Sequence, residues 1–232
     1  MNEVKVIEVF LNTVKVGRIA LTSDALCAFE YDSSYLDTGK SISPLILPLR
    51  KEVFIAKRNP FNGGFGVFDD SLPDGWGNLI LDRYLKSKNI NPDKLTLLQR
   101  LALVGSCGRG ALEYRPDYSK STPGDVLSLE FLAAETEKIL KTKYTDTSLE
   151  TLYNYGGSPG GARPKVFVNM DDKEWLVKFK AVGDPPDIGI IEYQHSLLAK
   201  KCGIKMPETR LFEGRYFGVE RYDRTPQGQI HT

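Results

Sequence analysis

The stretch Gly156-Gly157-Ser158-Pro159-Gly160-Gly161-Ala162-Arg163-Pro164-Lys165 sets the strongest limit on what this chain can become. Four glycines, a serine and two cations fall within ten residues, and the apolar run Val166-Phe167-Val168 comes directly after. Such a composition suits neither a helix interior nor the middle of a strand, because glycine loses the most backbone freedom on ordering. It suits a loop in which the main chain approaches an anion and successive N–H groups form a concavity around it. Arg163 and Lys165 add positive charge. The stretch reads as a loop over nucleotide phosphates with an exposed serine inside it. A flexible connector with a turn is the plain alternative, and this stretch alone leaves both open.

The residues after the loop narrow the choice. Lys165–Asn169 and Glu174–Ala181 read as strands joined by the acidic turn Met170-Asp171-Asp172-Lys173. Strict alternation in Trp175-Leu176-Val177-Lys178-Phe179-Lys180 puts Lys178 on one face with Leu176 and Lys180. A lysine in an apolar strand is ordinarily a solvated or snorkelling residue, but this one neighbours the candidate phosphate loop. A helix over Ile190–Lys201 aligns Ile191, His195, Leu198 and Cys202 and stops at Gly203. Glu192 falls in its first turn, where the helix dipole favours a carboxylate. Thr209–Phe212 and Tyr216–Arg221 form a hairpin across Glu213-Gly214. Glycine loop, strand lysine, helix glutamate and strands leading to a hinge are in the order of a protein-kinase N-lobe, where the lysine holds phosphates and pairs with the glutamate. A Walker A loop is excluded because no GxxxxGK[ST] string is present. A Rossmann unit is excluded because no preceding strand opens into a GxGxxG-started helix.

The first hundred residues form a unit of their own. Val4–Leu11, Val14–Leu21 and Leu26–Tyr31 predict a three-stranded antiparallel meander. Ser41–Leu49 is apolar but twice broken by proline, so it is a docked extended segment or an edge strand. Phe65–Asn78 clusters Asp, Ser, Pro and Gly ahead of a helix over Asn78–Lys88, and Asp69, Asp70 and Asp74 read as turn and cap residues. Asn91-Pro92-Asp93 opens a helix carrying Leu95, Leu98, Leu101 and Ala102, which stops at Gly105. Ala111–Tyr114 is a strand. Arg115–Asp125 is the best linker, after which Ser128 caps a helix over Leu129–Lys141 and a shorter helix covers Ser148–Asn154.

Composition sets outer bounds. The 232 residues suffice for one large or two modest domains, and a net charge of +1 gives no global pull toward nucleic acid or membrane. No apolar run approaches the ~20 residues of a membrane span, and the N-terminus lacks a secretory pattern. Three scattered cysteines, Cys27, Cys107 and Cys202, point to buried thiols in a reducing cytoplasm. With two histidines, His195 and His231, a multi-histidine metal site is not expected.

Several separated motifs then match one family. Phe68-Asp69-Asp70-Ser71-Leu72-Pro73-Asp74-Gly75-Trp76-Gly77 looks like an FxxxLPD(G/S)W segment. Val104-Gly105 through Gly110-Ala111-Leu112 looks like VGxxxxGAL. Ser158–Lys165, Leu176-Val177-Lys178-Phe179, Glu192-Tyr193 and Val219-Glu220-Arg221-Tyr222-Asp223-Arg224 come after them in register. The chain resembles the N-terminal part of HipA-family serine/threonine kinases, the toxins of bacterial toxin–antitoxin pairs. The resemblance implies an α+β fold. A small β-meander-plus-helices domain at 1–117 and a linker at 118–127 would precede a kinase N-lobe at 128–232 that ends just after the hinge. It implies that Gly160, Gly161, Ala162, Arg163 and Lys178 contact the phosphates of ATP, and that Glu220 and Tyr222 offer main-chain groups to adenine. Ser158 would be the phosphorylated switch and Glu192 the helix partner of the lysine. The implied partners are a kinase C-lobe on the same or a separate chain and a HipB-like DNA-binding antitoxin. The implied substrate is an aminoacyl-tRNA synthetase, the glutamyl enzyme in the family.

The family places its catalytic aspartate and Mg²⁺ ligands after the hinge, and the sequence stops about ten residues beyond it. The expectation is therefore a kinase N-terminal half without its C-lobe: part of a longer protein, a truncated gene product or one subunit of a split system. By itself it would transfer no phosphate. The alternative is a non-catalytic regulatory or antitoxin-like subunit that binds a kinase core.

Overall fold

The computed structural model describes residues 3–120, 127–156, 161–225 and 228–230. Its main elements run β1 (Val6–Leu11), β2 (Val14–Leu21), β3 (Cys27–Tyr31), α1 (Ser33–Leu36), β4 (Val53–Ile55), α2 (Gly66–Asp69) and α3 (Gly75–Ser87). A 3₁₀ turn (Pro92–Lys94), α4 (Leu97–Val104), β5 (Leu112–Arg115), α5 (Leu129–Leu140) and α6 (Asp146–Gly156) come next. β6 (Lys165–Met170), β7 (Lys173–Lys178), α7 (Ile188–Lys201), β8 (Thr209–Phe212) and β9 (Tyr216–Glu220) complete the second half. Two compact units result: Met1–Pro73 with Asn91–Ser119 and Gln227–Thr232, and Asp74–Ile90 with Lys120–Pro226. The linker expected at 118–127 falls largely outside the described residues.

The first unit is built on the expected meander. β1, β2 and β3 pair antiparallel in sequence order, with a register shift at Val9/Phe10. Alternation sends Cys27, Phe29 and Tyr31 of β3 inward. Two short strands widen the sheet: β4 pairs with β3 and β5 with β1, giving the order β4-β3-β2-β1-β5. Ser41–Leu49 docks without becoming a strand. It makes a single bridge, Ser43 to Leu47, and buries Ile42 and Leu47 while Leu45 and Ile46 stay exposed. The Tyr31 and Ser41 hydroxyls both donate to the Leu47 carbonyl, at 2.6 and 2.7 Å. α4 packs on the sheet with Leu98, Leu101 and Ala102 buried.

One expectation fails here. The helix predicted from Asn91 is two pieces. Asn91 caps only the 3₁₀ turn, accepting from Asp93 N–H. Leu95 is then extended, and Thr96 starts α4 with a reciprocal capping box to Gln99. The stop at Gly105 is as expected.

The second unit holds an antiparallel four-stranded sheet in the order β6-β7-β9-β8. β6 and β7 join through Asp171 and Asp172, whose φ values of 53° and 59° are those of a two-residue type I′ hairpin. In β7, Trp175 and Val177 are buried while Leu176 and Lys178 lie on the half-open side, so alternation places the lysine as expected. α7 packs on β8 and β9. A Cβ on Gly189 would stand 2.0 Å from the Arg215 carbonyl oxygen, so only glycine allows this approach of helix to hairpin. The His195, Leu198 and Cys202 face of α7 is exposed, and the helix buries Gly189 and Ser196 instead. Cys202 is thus not the buried thiol expected, whereas Cys27 is. α6 packs against α3, α5 and β6, with Tyr84 and Tyr153 stacked at 4.4 Å. The whole is a mixed fold of helices and antiparallel sheets, and no helix among the described residues is long and apolar enough to cross a membrane.

Candidate functional site

The site starts from Lys178, the last residue of β7. Its Nζ lies 3.2 Å from Oε2 and 3.4 Å from Oε1 of Glu192 on α7, and 5.3 Å from the centre of the Phe217 ring. Because α7 begins at Ile188, Glu192 sits past the first helical turn. The helix dipole therefore does not account for this carboxylate. The side chains are 32% and 25% exposed, so the pair contributes at most about 1 kcal/mol of stability. Its effect is geometric: it fixes where the ammonium points.

The described part of the glycine loop, Gly161–Lys165, lies against the start of α3. Gly161 N–H donates to the Asp74 carboxylate. Trp76 N–H donates to the Gly161 carbonyl at 3.1 Å, and the buried Trp76 indole N–H to the Lys165 carbonyl at 3.0 Å. A Cβ on Gly75 would stand 2.6 Å from Ala162 Cα. Beyond β6 and β7 the ladder continues, with Phe179 N–H donating to the Pro164 carbonyl at 2.9 Å. Arg163 is turned to Asp184, Nη1 to Oδ2 at 2.5 Å. Asp184 also accepts Ala181 N–H at 2.9 Å. That backbone bond first, and then Arg163, holds its carboxyl below the ordinary 3.8. Ser158 and Gly160 lie outside the described residues.

The three aspartates of the Phe68–Asp74 segment have different fates. Asp69 belongs to α2 and Asp70 is its C-terminal cap residue. Arg109 donates to the Asp70 and Leu72 carbonyls at 2.9 and 3.3 Å, which holds this turn. Burial, and then the neighbouring Asp70 charge, raise the Asp69 carboxyl. Asp74 takes the N-cap position of α3, but its side chain makes no capping bond there; it is spent on Gly161.

At the end of β9, Glu220 N–H donates to the Glu208 carbonyl at 2.9 Å, so that group is engaged within the protein. The Glu220 carboxylate lies 3.2 Å from Lys173 Nζ. Tyr222 is 65% exposed. Between them the Arg221 side chain is buried. It donates to both oxygens of buried Asp223 at 2.9 and 2.7 Å and to Glu174 at 3.1 Å, and its guanidinium lies 4.2 Å from the Phe167 ring centre. Sequence reasoning missed Asp74, Trp76 and the Arg221–Asp223 pair as site residues. For the last, a signal was present: two cations and an anion in Arg221–Arg224, directly after an apolar strand.

Residues 7–115 match the family model of the HipA N-terminal domain, and residues 157–232 match that of the HipA-like C-terminal domain. The chain belongs to the HipA family. No curated protein matches it. Since the second match is to a C-terminal domain, it gives no support to an absent C-lobe. In this HipA-family chain the two matched regions contain all the motifs that carried the resemblance, and of the glycine loop only Gly156 lies outside them. Among the described residues no group of three or more His, Cys, Asp or Glu side chains could hold a metal ion.

Proposed function

We propose that residues 161–225 form the nucleotide-binding lobe of a HipA-type serine/threonine protein kinase. One observation carries this reading: the Lys178–Glu192 pair, which ties the last residue of β7 to α7 at 3.2 Å. A strand lysine held by a helix carboxylate is the arrangement protein kinases use on nucleotide phosphates. The donor set fits ATP: a part-exposed ammonium beside a glycine-rich main chain, with a second cation, Arg163, that would have to leave Asp184 to reach a phosphate. ATP supplies the phosphoryl group to be transferred. Lys178 would hold its phosphates, Glu192 would orient Lys178, and the Glu220–Tyr222 main chain would face adenine, its course set by the buried Arg221–Asp223 pair. The metal is a different case, because the described residues offer it no ligand cluster. We assign no step to it. Ser158 as a phosphorylated switch, a HipB-like antitoxin and an aminoacyl-tRNA synthetase substrate, all in the cytoplasm, are part of the same proposal.

The test is ATP titration of the chain by calorimetry, with Lys178→Ala alongside. The wild type should bind and the variant should lose at least about tenfold in affinity, as expected for a hydrogen bond to a charged group. Equal affinities would overturn the reading and favour a regulatory subunit that does not use nucleotide.

A further inference from the structure

Asp74, Gly75 and Trp76 make four separate approaches to the glycine-rich loop, from a part of the chain far away in sequence. The carboxylate takes Gly161 N–H. The Trp76 main chain gives its N–H to the Gly161 carbonyl. The Trp76 indole, only 2% exposed, gives its N–H to the Lys165 carbonyl. Gly75, lacking a Cβ, lets the two backbones meet at Ala162. α3 itself is anchored by buried Ile80, Leu81 and Leu85 and by packing on α6. We infer that Asp74-Gly75-Trp76 is a clamp of positioning residues that holds the Gly161–Lys165 main chain in the course nucleotide binding requires. This rests on the nucleotide-lobe reading.

The physical reason is entropic. Ordering a glycine-rich segment is costly, and a loop left free would meet that cost when the nucleotide binds. Fixed from α3, the cost falls on folding, and binding gains affinity by preorganisation. A second consequence concerns Gly161. Its N–H points to Asp74, so Gly161 supports the loop, while Lys178 and the neighbouring main chain are left for phosphate.

The experiment uses the full chain with Asp74→Ala, Asp74→Asn, Gly75→Ala and, as a control on the nucleotide reading, Lys178→Ala. Two quantities are measured: amide hydrogen exchange over Gly161–Lys165 without nucleotide, and the Kd for ATP. Asp74→Ala should speed exchange at Gly161 about tenfold and weaken ATP about tenfold. Asp74→Asn, whose amide oxygen accepts the same N–H, should restore both to within about twofold. Gly75→Ala should open the same segment by pushing on Ala162. A merely structural role for Asp74 would not give a change confined to the loop together with weaker ATP binding. Unchanged exchange at Gly161 in Asp74→Ala would overturn the clamp, and so would unchanged or tighter ATP binding, which would make Asp74 a bystander or a competitor of phosphate. If Lys178→Ala binds ATP like the wild type, the nucleotide reading falls, and exchange at Gly161 still decides whether the clamp exists.

Discussion

Single residues show how environment separates identical side chains. Cys27 is fully buried, and burial pushes its thiol up to about 11; Cys202 is exposed at the end of α7. Since the thiolate is the reactive form, iodoacetamide at pH 8 should label Cys202 and leave Cys27 untouched until the protein is unfolded. Peptide mapping that finds both labelled equally in the native protein would contradict the burial. Asp223 makes a sharper case. It is buried against Arg221, whose side chain is only 7% exposed. Asp223→Ala would leave a buried guanidinium with a lost partner, which costs about 3 kcal/mol. Urea unfolding should show that loss as a lower midpoint. A change below about 1 kcal/mol would mean that Glu174 alone suffices for Arg221.

At the scale of elements, caps and close approaches decide boundaries that periodicity leaves loose. Leu95 through Ala102 has helical spacing, and Asn91-Pro92-Asp93 has every mark of a helix start. Yet Thr96 with Gln99 is the pair that closes both ends of a capping box. Thr96→Ala should therefore destabilise the protein by about 1 kcal/mol, and Thr96→Ser should recover most of it. Thermal unfolding of the two variants checks this, and equal melting temperatures for Thr96→Ala and wild type would remove the box as the start signal. α3 shows the opposite case. Its predicted start at Asn78 missed Gly75-Trp76-Gly77, because two glycines in three residues argue against helix. Contacts to the loop outweigh that propensity.

For the whole molecule, the two units are interleaved along the chain, with Asp74–Ile90 leaving the first stretch to join the second unit. Sequence order alone keeps that segment with its neighbours. If the nucleotide lobe is as proposed, saturating ATP should slow hydrogen exchange in 74–90 and 161–225 and leave β1–β5 of the first unit unchanged. A ligand at about a hundred times its Kd adds about 2.7 kcal/mol of stability. Protection concentrated instead in β1–β5 would place nucleotide in the wrong unit.

Sequence by itself determined the kinds of element and much of their extent. The period of two in Trp175–Lys180, the breaks at Asn12-Thr13 and Asp171-Asp172, and the cap at Ser128 are local, and local chemistry is written in adjacent residues. The Lys178–Glu192 contact was legible too, because a lysine-bearing strand is followed by a helix carrying a glutamate. Tertiary structure alone decided who else meets whom. Periodicity tells which face of a strand or helix is apolar but not what covers it. So the exposure of His195, Leu198 and Cys202, the addition of β4 and β5 to the meander, and the burial of Arg221 with Asp223 came only from packing. Asp74 and Gly161 stand 87 positions apart, and no local pattern in either stretch names the other. Only the fold, by packing α3 beside β6 through α6, brings that carboxylate to the loop.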